Sequence, residues 1–351
     1  MRVAIEAASL GLSSGGLARY TGELSLALAR AFPEDEFYLL SDQPFRIPEN
    51  GPGNLKRGGG PRNAAERRWW IWGLEREMRR LAIDLVHGPD FAVPYIPRRP
   101  SVLTLHDLSP WMDPKWHRAA QRVRRRTPLL LDLGIATMII TPGDAVRRQA
   151  IEHFHLQPDR VVAIPEAPAP WLQRVDSPAR SNPYFLFVGT LEPRKNLPML
   201  VDAWREVRRR QRVDLILAGR KRADAPEIPE EPGLQLIGEV RDARLAELYS
   251  GALALVCPSL YEGFGLPVLE AMQCGAPVIA SSAVVEAGGD AAIYADGAGA
   301  LTRAMCQALE QPGWVVERRA LSLARAREFS WERTARLTHE VYLEARRRFE
   351  S

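Results

Sequence analysis

Cysteine is scarce in this chain: Cys257, Cys274 and Cys306 are the only three in 351 residues. Their spacing fits neither a zinc site nor a disulfide framework, so a reduced compartment is expected. No run of 18 apolar residues occurs, and a membrane-crossing helix is therefore not expected. The start, Met1-Arg2-Val3-Ala4-Ile5, enters a strand pattern directly and lacks a signal-peptide layout, which points to the cytoplasm. The G-x-G-x-x-G fingerprint of dinucleotide enzymes is missing, which disfavours a nicotinamide-dependent oxidoreductase or epimerase. Nor is there an Asp-x-Asp anywhere, so no metal clamp on a phosphate is expected and no metal ligands are assigned.

What is present describes an ordinary globular protein, 46% hydrophobic and 26% charged, long enough for two domains. The charge is uneven. Lys+Arg minus Asp+Glu is 24 − 20 = +4 over residues 1–178 and 23 − 23 = 0 over 179–351. The excess gathers around residues 55–80 and in Lys115–Arg126, where six basic residues stand without an acid. Such a face could meet nucleic acid or an anionic membrane. The run Trp69-Trp70-Ile71-Trp72 tips the choice toward a membrane surface, because indoles favour that interface.

The most informative stretch is Val256–Ala280, V-C-P-S-L-Y-E-G-F-G-L-P-V-L-E-A-M-Q-C-G-A-P-V-I-A. The apolar run before it (252–257) reads as a buried parallel strand. Gly263-Phe264-Gly265 makes a tight loop, and Pro267 suits the first turn of a helix. Loop amides and helix start form a site for an anionic ligand. Glu262 and Glu270 flank it and are suited to accept hydrogen bonds from sugar hydroxyls. Two exposed Glu on a helix cap is the plain alternative, which the Glu-x7-Glu spacing disfavours.

Elsewhere strands alternate with helices. The first strand is residues 2–8, followed by the loop 9–17 and a helix with Leu17, Leu24, Ala27, Leu28 and Ala31 on one face. Gly15-Gly16 would let a phosphate approach the backbone. Strands are expected at 37–40, 85–87 and 102–106, with a mobile surface loop over 47–63. His106 ends its strand at the ligand edge of a parallel sheet, where Asp107 could orient the imidazole; a structural His capping a loop is the plain alternative. A basic helix (about 115–133), a strand (136–141) and a helix from Asp144, capped by Asp144 or Thr141, come next. Pro165-Glu166-Ala167-Pro168-Ala169-Pro170 reads as a stiff interdomain connection, with no ligand role assigned. The second half has strands at 184–188, 214–218, 234–237 and 278–280. Arg194 and Lys195, in G-T-L-E-P-R-K-N-L, combine a guanidinium fork and an ammonium that could neutralise a departing diphosphate. Asn196 should cap the next helix. Trp331, Ala335, Thr338 and Tyr342 fall at helical spacing in the last one.

Glu262-x7-Glu270 around G-F-G-L-P, with L-H-D-L, E-P-R-K-N and G-G-L-A-R-Y, resembles the retaining GT-B glycosyltransferases, in particular glycosyltransferase family 4. The likeness covers nearly the whole chain. It implies an α/β fold of GT-B type, two doubly wound Rossmann-like domains facing across a cleft. The division implied is 1–166 for an acceptor-side domain, 167–328 for a nucleotide-sugar domain and 329–351 for a helix crossing back to the first.

The resemblance also implies roles. His106, Glu262, Arg194 and Lys195 are the catalytic set. Gly16, and with it Gly15, would lie over the donor diphosphate, with Arg194 and Lys195 neutralising it. The backbone near Gly238 and Val240 would read the base, and Glu270 the ribose. Glu262 and the amides of Gly263, Phe264, Gly265 and Leu266 would hold the donor sugar. The activity implied is hexosyl transfer with retention and without metal, from a nucleotide-sugar substrate rather than a cofactor. The motif combination resembles bacterial mannosyltransferases using GDP-mannose to build polysaccharide on glycan or lipid-linked acceptors. A UDP-glucose-type donor is the alternative, and a catalytically silent sugar-nucleotide binder a minor one. Partners expected are the donor, the acceptor and an anionic membrane surface on the cytoplasmic side, without nucleic acid. Two departures stand out: Thr141-Pro142-Gly143-Asp144 lacks the family's usual Ser, and Glu166-Ala167 replaces its Asn-Gly.

Overall fold

The computed structural model describes residues 1–11, 15–113, 115–117, 120–176 and 182–351. Ser13 and Ser14 of the expected glycine loop and Arg118 of the expected basic helix lie outside them. The chain divides into two units, residues 1–166 with 330–351, and residues 167–329.

The first unit is built on a seven-stranded sheet of order β3-β2-β1-β4-β5-β6-β7. Its strands are β1 (Arg2–Glu6), β2 (Glu36–Leu40), β3 (Leu55–Arg57), β4 (Leu85–Gly88), β5 (Ser101–Thr104), β6 (Met138–Thr141) and β7 (Val161–Ala163). Every pairing is parallel. Continuous apolar strands such as Val3-Ala4-Ile5 and Met138-Ile139-Ile140 suit this, because a parallel sheet is covered on both faces. The covering helices are α1 (Gly16–Ala31), α2 (Leu74–Arg80), α3 (Ser109–Met112), α4 (Gln121–Asp132), α5 (Asp144–Phe154) and, from the chain's end, α12 (Trp331–Glu350).

Helix α12 packs along α1. Ser330 caps it by accepting from the Arg333 amide at 3.2 Å, and Trp331, Thr334, Ala335, Thr338, Val341, Tyr342 and Ala345 are its buried stripe. That cover explains why α1 is buried on more than its expected face. Leu24 and Leu28 are in the core, but so are Tyr20, Thr21 and Ser25, whereas Leu17, Ala27 and Ala31 are half-buried.

Other expectations need correction. The segment 47–63 is not a plain loop: Leu55–Arg57 adds an edge strand beside β2, with Leu55 buried. The basic helix begins at Gln121 rather than near 115. Gly143 is the N-cap of α5 and has no side-chain cap, since Thr141 Oγ1 donates to the Gly143 carbonyl at 3.1 Å. The tryptophan run forms one turn of π-helix (Trp69–Gly73). Trp69 is a core residue and Trp70 lies half-buried under the Arg126 guanidinium, 5.5 Å from its centroid. Only Trp72 of the three turns outward, 52% exposed.

The second unit has a six-stranded parallel sheet of order β10-β9-β8-β11-β12-β13. Its strands are β8 (Tyr184–Val188), β9 (Asp214–Ala218), β10 (Leu234–Gly238), β11 (Ala254–Cys257), β12 (Val278–Ala280) and the short β13 (Ile293–Tyr294). Helices α6 (Leu197–Arg208), α7 (Asp242–Gly251), α8 (Leu266–Gln273), α9 (Val285–Gly288), α10 (Ala298–Glu310) and α11 (Trp314–Ala326) cover its two faces. One side packs Trp204, Leu200 and Met305 against Phe185 and Phe187, and the other packs Val268, Met272 and Tyr249 against Leu186 and Leu255.

In each sheet the strand order reverses at one place, between β1 and β4 in the first unit and between β8 and β11 in the second. Loops leaving the carboxyl ends of those strands diverge there and open a crevice, which is where doubly wound sheets bind ligands.

Candidate active site

At the reversal point of the second unit, the loop after β8 carries Glu192, Arg194 and Lys195, and the loop after β11 carries Ser259, Glu262 and the glycine turn. Pro193–Lys195 forms a single 3-10 turn, with the Lys195 amide donating to the Glu192 carbonyl at 3.1 Å. The Leu260 amide donates to the Arg194 carbonyl at 2.9 Å and ties the two loops together.

The side chains continue this link. Arg194 Nη1 donates to Glu262 Oε2 at 2.9 Å and to the Tyr261 carbonyl at 2.6 Å. Its Nη2 and Nε donate to Glu192 Oε1 at 2.8 and 3.1 Å. Lys195 Nζ donates to Glu262 Oε1 at 2.5 Å, and Ser259 Oγ donates to the same oxygen at 2.6 Å. Arg222, on the loop after β9, closes the set by pairing with the other oxygen of Glu192. The order is Arg222, Glu192, Arg194, Glu262, Lys195, with charges alternating in sign. All but Arg222 have side chains at most 11% exposed.

Burial alone would raise the Glu262 carboxyl. The Lys195 and Arg194 charges and the Ser259 hydroxyl reverse that and hold it at about 2. Glu262 is therefore ionised at any physiological pH, and it is a weak base and a weak nucleophile.

The turn that follows is held by shape. Gly265 has φ +107°, and a Cβ there would stand 2.9 Å from Val284 Cγ1. Phe264 points into the core, edge-on to Phe329 at 5.9 Å between centroids, and Leu266 is buried. These two positions can thus offer a ligand their amides but not their side chains. Among the described residues, the amides of Gly263, Phe264 and Gly265 meet no protein acceptor. Glu270, one turn into α8, is 3% exposed and accepts from Tyr249 Oη at 3.3 Å. Neither Glu of the pair is an exposed helix-cap residue. Gly238 ends β10 with its carbonyl accepting from the Gly219 amide at 2.8 Å, and Val240 packs on the core beside it. Asn196 occupies the N-cap of α6, but its side chain reaches the Pro258 carbonyl at 3.4 Å instead of capping.

In the first unit, Gly15 is the exposed N-cap of α1 with φ +122°, and Gly16 is its exposed first residue. His106 lies two residues beyond β5, where Nδ1 is 3.0 Å from Glu166 Oε1 and Nε2 is 2.8 Å from the Pro89 carbonyl. Burial disfavours a charged ring, yet Glu166, the Pro89 carbonyl and Asp90 together raise His106 above its ordinary value. Asp107 does not orient this ring. Its Oδ1 accepts from the Ser109 amide at 2.9 Å and the Ser109 hydroxyl at 2.6 Å, which shapes the start of α3.

Several residues of the site have no signature in the sequence. Glu192 stands inside E-P-R-K-N without a role, and Ser259, just beyond the strand at 252–257, has none either. Arg222 and Glu166 had no assignment. Glu6, at the carboxyl end of β1, was read as part of a strand. It is buried with one oxygen accepting from the Ala8 amide at 3.2 Å, and burial, with Asp90 and Asp42 nearby, pushes it up to about 8.

Comparison with known proteins agrees with this architecture. Residues 14–167 match Glycosyltransferase Family 4, and residues 182–311 match Glycosyl transferases group 1. The O-antigen chain mannosyltransferase B of Escherichia coli is 35% identical over 284 residues, 74% of this chain and 74% of that protein. Among solved structures, WaaG, a glycosyltransferase involved in lipopolysaccharide biosynthesis, superposes with TM-score 0.73 at 15% identity, covering 97% of this chain and 99% of that one. Anabaena HepE, solved with UDP-glucose, gives TM-score 0.72 at 17% identity, covering 98% and 100%. At such identities these two attest the fold alone, which is GT-B.

The ion-paired Glu262 makes stability pH-dependent. Its folded value of about 2 lies below the ordinary 4.5, so the stabilisation is complete above pH 4.5 and is lost as pH falls toward 2. Glu262→Gln should therefore cost roughly 3 kcal/mol at neutral pH. In urea melts the gap from wild type should close as the pH approaches 2. A gap that stays constant down the acid limb would mean that the pair does not set it.

Proposed function

The chain belongs to glycosyltransferase family 4, and from that premise we propose that it moves mannose from GDP-mannose to a glycan or lipid-linked acceptor in bacterial polysaccharide assembly. The transfer retains anomeric configuration and uses no metal. The similarity to an O-antigen chain mannosyltransferase supports the choice of sugar. The observation that carries the chemistry is the pairing of Glu262 with Arg194 and Lys195 at the reversal point of the second sheet.

Arg194 is held on three sides, by Glu192, Glu262 and the Tyr261 carbonyl, so its charge is in position before any ligand arrives. Lys195 has three N–H groups and gives one to Glu262. The others can meet the diphosphate, on which charge grows as the anomeric C–O bond breaks. Fixed charges of this kind avoid reorganisation during the reaction. The amides of Gly263, Phe264, Gly265 and Leu266 receive the sugar, Glu270 the ribose hydroxyls, and the backbone at Gly238 and Val240 the base. Gly15 and Gly16 are assigned to the diphosphate and His106 to the transferred sugar.

A double displacement would need a carboxylate nucleophile. Glu262, neutralised by two cations and held at about 2, is poorly suited to that part. Attack on the face that the diphosphate leaves accounts for retention instead. The acceptor oxygen bonds to the anomeric carbon, the bond to phosphate breaks, and the hydroxyl proton passes to the departing phosphate oxygen.

Backbone contact to the base discriminates weakly, so donor choice is decided by measurement. A thermal-shift panel of GDP, GDP-mannose, UDP and UDP-glucose should show stabilisation by the guanosine nucleotides. GDP-mannose turnover should follow, and Lys195→Ala should reduce it about 10²–10³-fold. Selective stabilisation by the uridine nucleotides would instead make the donor a UDP-sugar. Binding without turnover would make the chain a silent binder.

The membrane surface is proposed on narrower ground than the tryptophan run suggested. Trp72, Leu129 and Leu133 are 52%, 54% and 65% exposed in the first unit, and Arg67, Arg68, Arg122 and Arg125 are exposed as well. Among the described residues no helix is long and apolar enough to cross a membrane. Arginines beside exposed indole and leucine fit an anionic lipid surface. Sedimentation with anionic vesicles should be strong at low salt and weaken as salt rises, and an absence of binding at low salt would remove this part.

A further inference from the structure

We propose that Glu166 is a positioning residue for the transfer: it holds His106 as a doubly protonated imidazolium, so that the ring serves as a fixed cation and hydrogen-bond donor and not as a base. The proposal rests on the function given above, since it names a residue that prepares His106 for that reaction.

The geometry is specific about protons. A peptide carbonyl only accepts, so the Nε2 atom facing the Pro89 carbonyl at 2.8 Å carries a hydrogen. A carboxylate only accepts, so the Nδ1 atom facing Glu166 at 3.0 Å carries one too. Both nitrogens protonated is the cationic ring. Within this arrangement the Nε2–H is the hydrogen that a ligand oxygen can take over from the Pro89 carbonyl.

Glu166 is well held for such a task. It follows Pro165 and precedes Ala167-Pro168, where prolines restrict the backbone. The Pro165 carbonyl accepts from Thr334 Oγ1 of α12 at 2.7 Å, and the Glu166 side chain is 6% exposed. The edge of Tyr20 from α1 packs against the ring at 4.6 Å between centroids, and Phe91 stands at 6.4 Å.

The other groups facing His106 agree. Asp90, beyond β4, adds negative potential. His87 on β4 is a basic neighbour, and Arg126 of α4 acts on Asp90. Burial first, and repulsion from His106 second, push His87 down to about 3, so it stays neutral. Its nitrogens are occupied by Tyr342 Oη at 2.7 Å and Thr104 Oγ1 at 2.8 Å, and the same Thr104 oxygen lies 3.1 Å from Tyr20 Oη. The neighbourhood thus supplies negative charge from Glu166 and Asp90 beside a neutral His87.

The test uses the full chain with labelled histidines, wild type and Glu166→Gln, with Glu166→Asp as a second variant that keeps the charge. Nitrogen NMR should find both His106 ring nitrogens protonated in the wild type, with a titration midpoint above 6.5, and a midpoint below it in Glu166→Gln. GDP-mannose turnover by Glu166→Gln should match wild type on the acid side. It should then fall about tenfold for each pH unit above the lowered midpoint, while Glu166→Asp keeps the wild-type profile. A His106 that is neutral in the wild type, or a midpoint unmoved by Glu166→Gln, would overturn the proposal. So would a loss of turnover equal at every pH, which a merely structural role would give. A wild type inactive with every nucleotide sugar would remove the proposed function and the role in transfer with it, while the NMR midpoints would still report whether Glu166 sets the ring's charge.

Discussion

A buried carboxylate between two cations is the constraint on which the second unit depends. Removing Glu262 from water would be costly by itself, and the cost is offset because Arg194 and Lys195 reach both its oxygens. The same contacts immobilise the cations. Arg194 is further fixed through Glu192, which Arg222 holds from the next loop. Loops from three neighbouring strands are thereby joined at the point where the sheet's strand order reverses. Two doubly wound sheets with that reversal, the family match and the 35%-identical mannosyltransferase together identify a glycosyltransferase.

The first unit solves a different electrostatic problem with similar means. Two histidines lie near one another in its interior, and burial disfavours charge on both. His87 meets hydroxyl groups that serve a neutral ring, whereas His106 meets a carboxylate and a carbonyl that serve a charged one. Their environments push the two values in opposite directions. Tyr342 takes part from α12, so the last helix contributes to this polar interior as well as covering α1.

Much of the framework was legible in the sequence. The apolar runs at 184–188, 214–218 and 278–280 are strands, and the stripe Trp331, Ala335, Thr338, Tyr342 is buried. Strand Leu55–Arg57 was not legible, since three residues between glycine and proline clusters carry no periodic signal. The tryptophan run misled because indoles suit a core as well as an interface, and burial of Trp69 is decided by tertiary packing. At the site, motif residues such as Arg194 and Glu262 could be named, but their direct contact could not, because 68 residues separate them along the chain. Glu166 was invisible for the same reason: its partner His106 is 60 residues away.

The role proposed for Glu262 is to keep Lys195 and Arg194 ready for a diphosphate. The most direct measurement is calorimetric comparison of GDP with GMP, in wild type and in Lys195→Ala. A fixed cation reading the terminal phosphate predicts that wild type favours GDP by on the order of tenfold or more, and that the preference collapses in the variant. An equal preference for GDP in both proteins would contradict it.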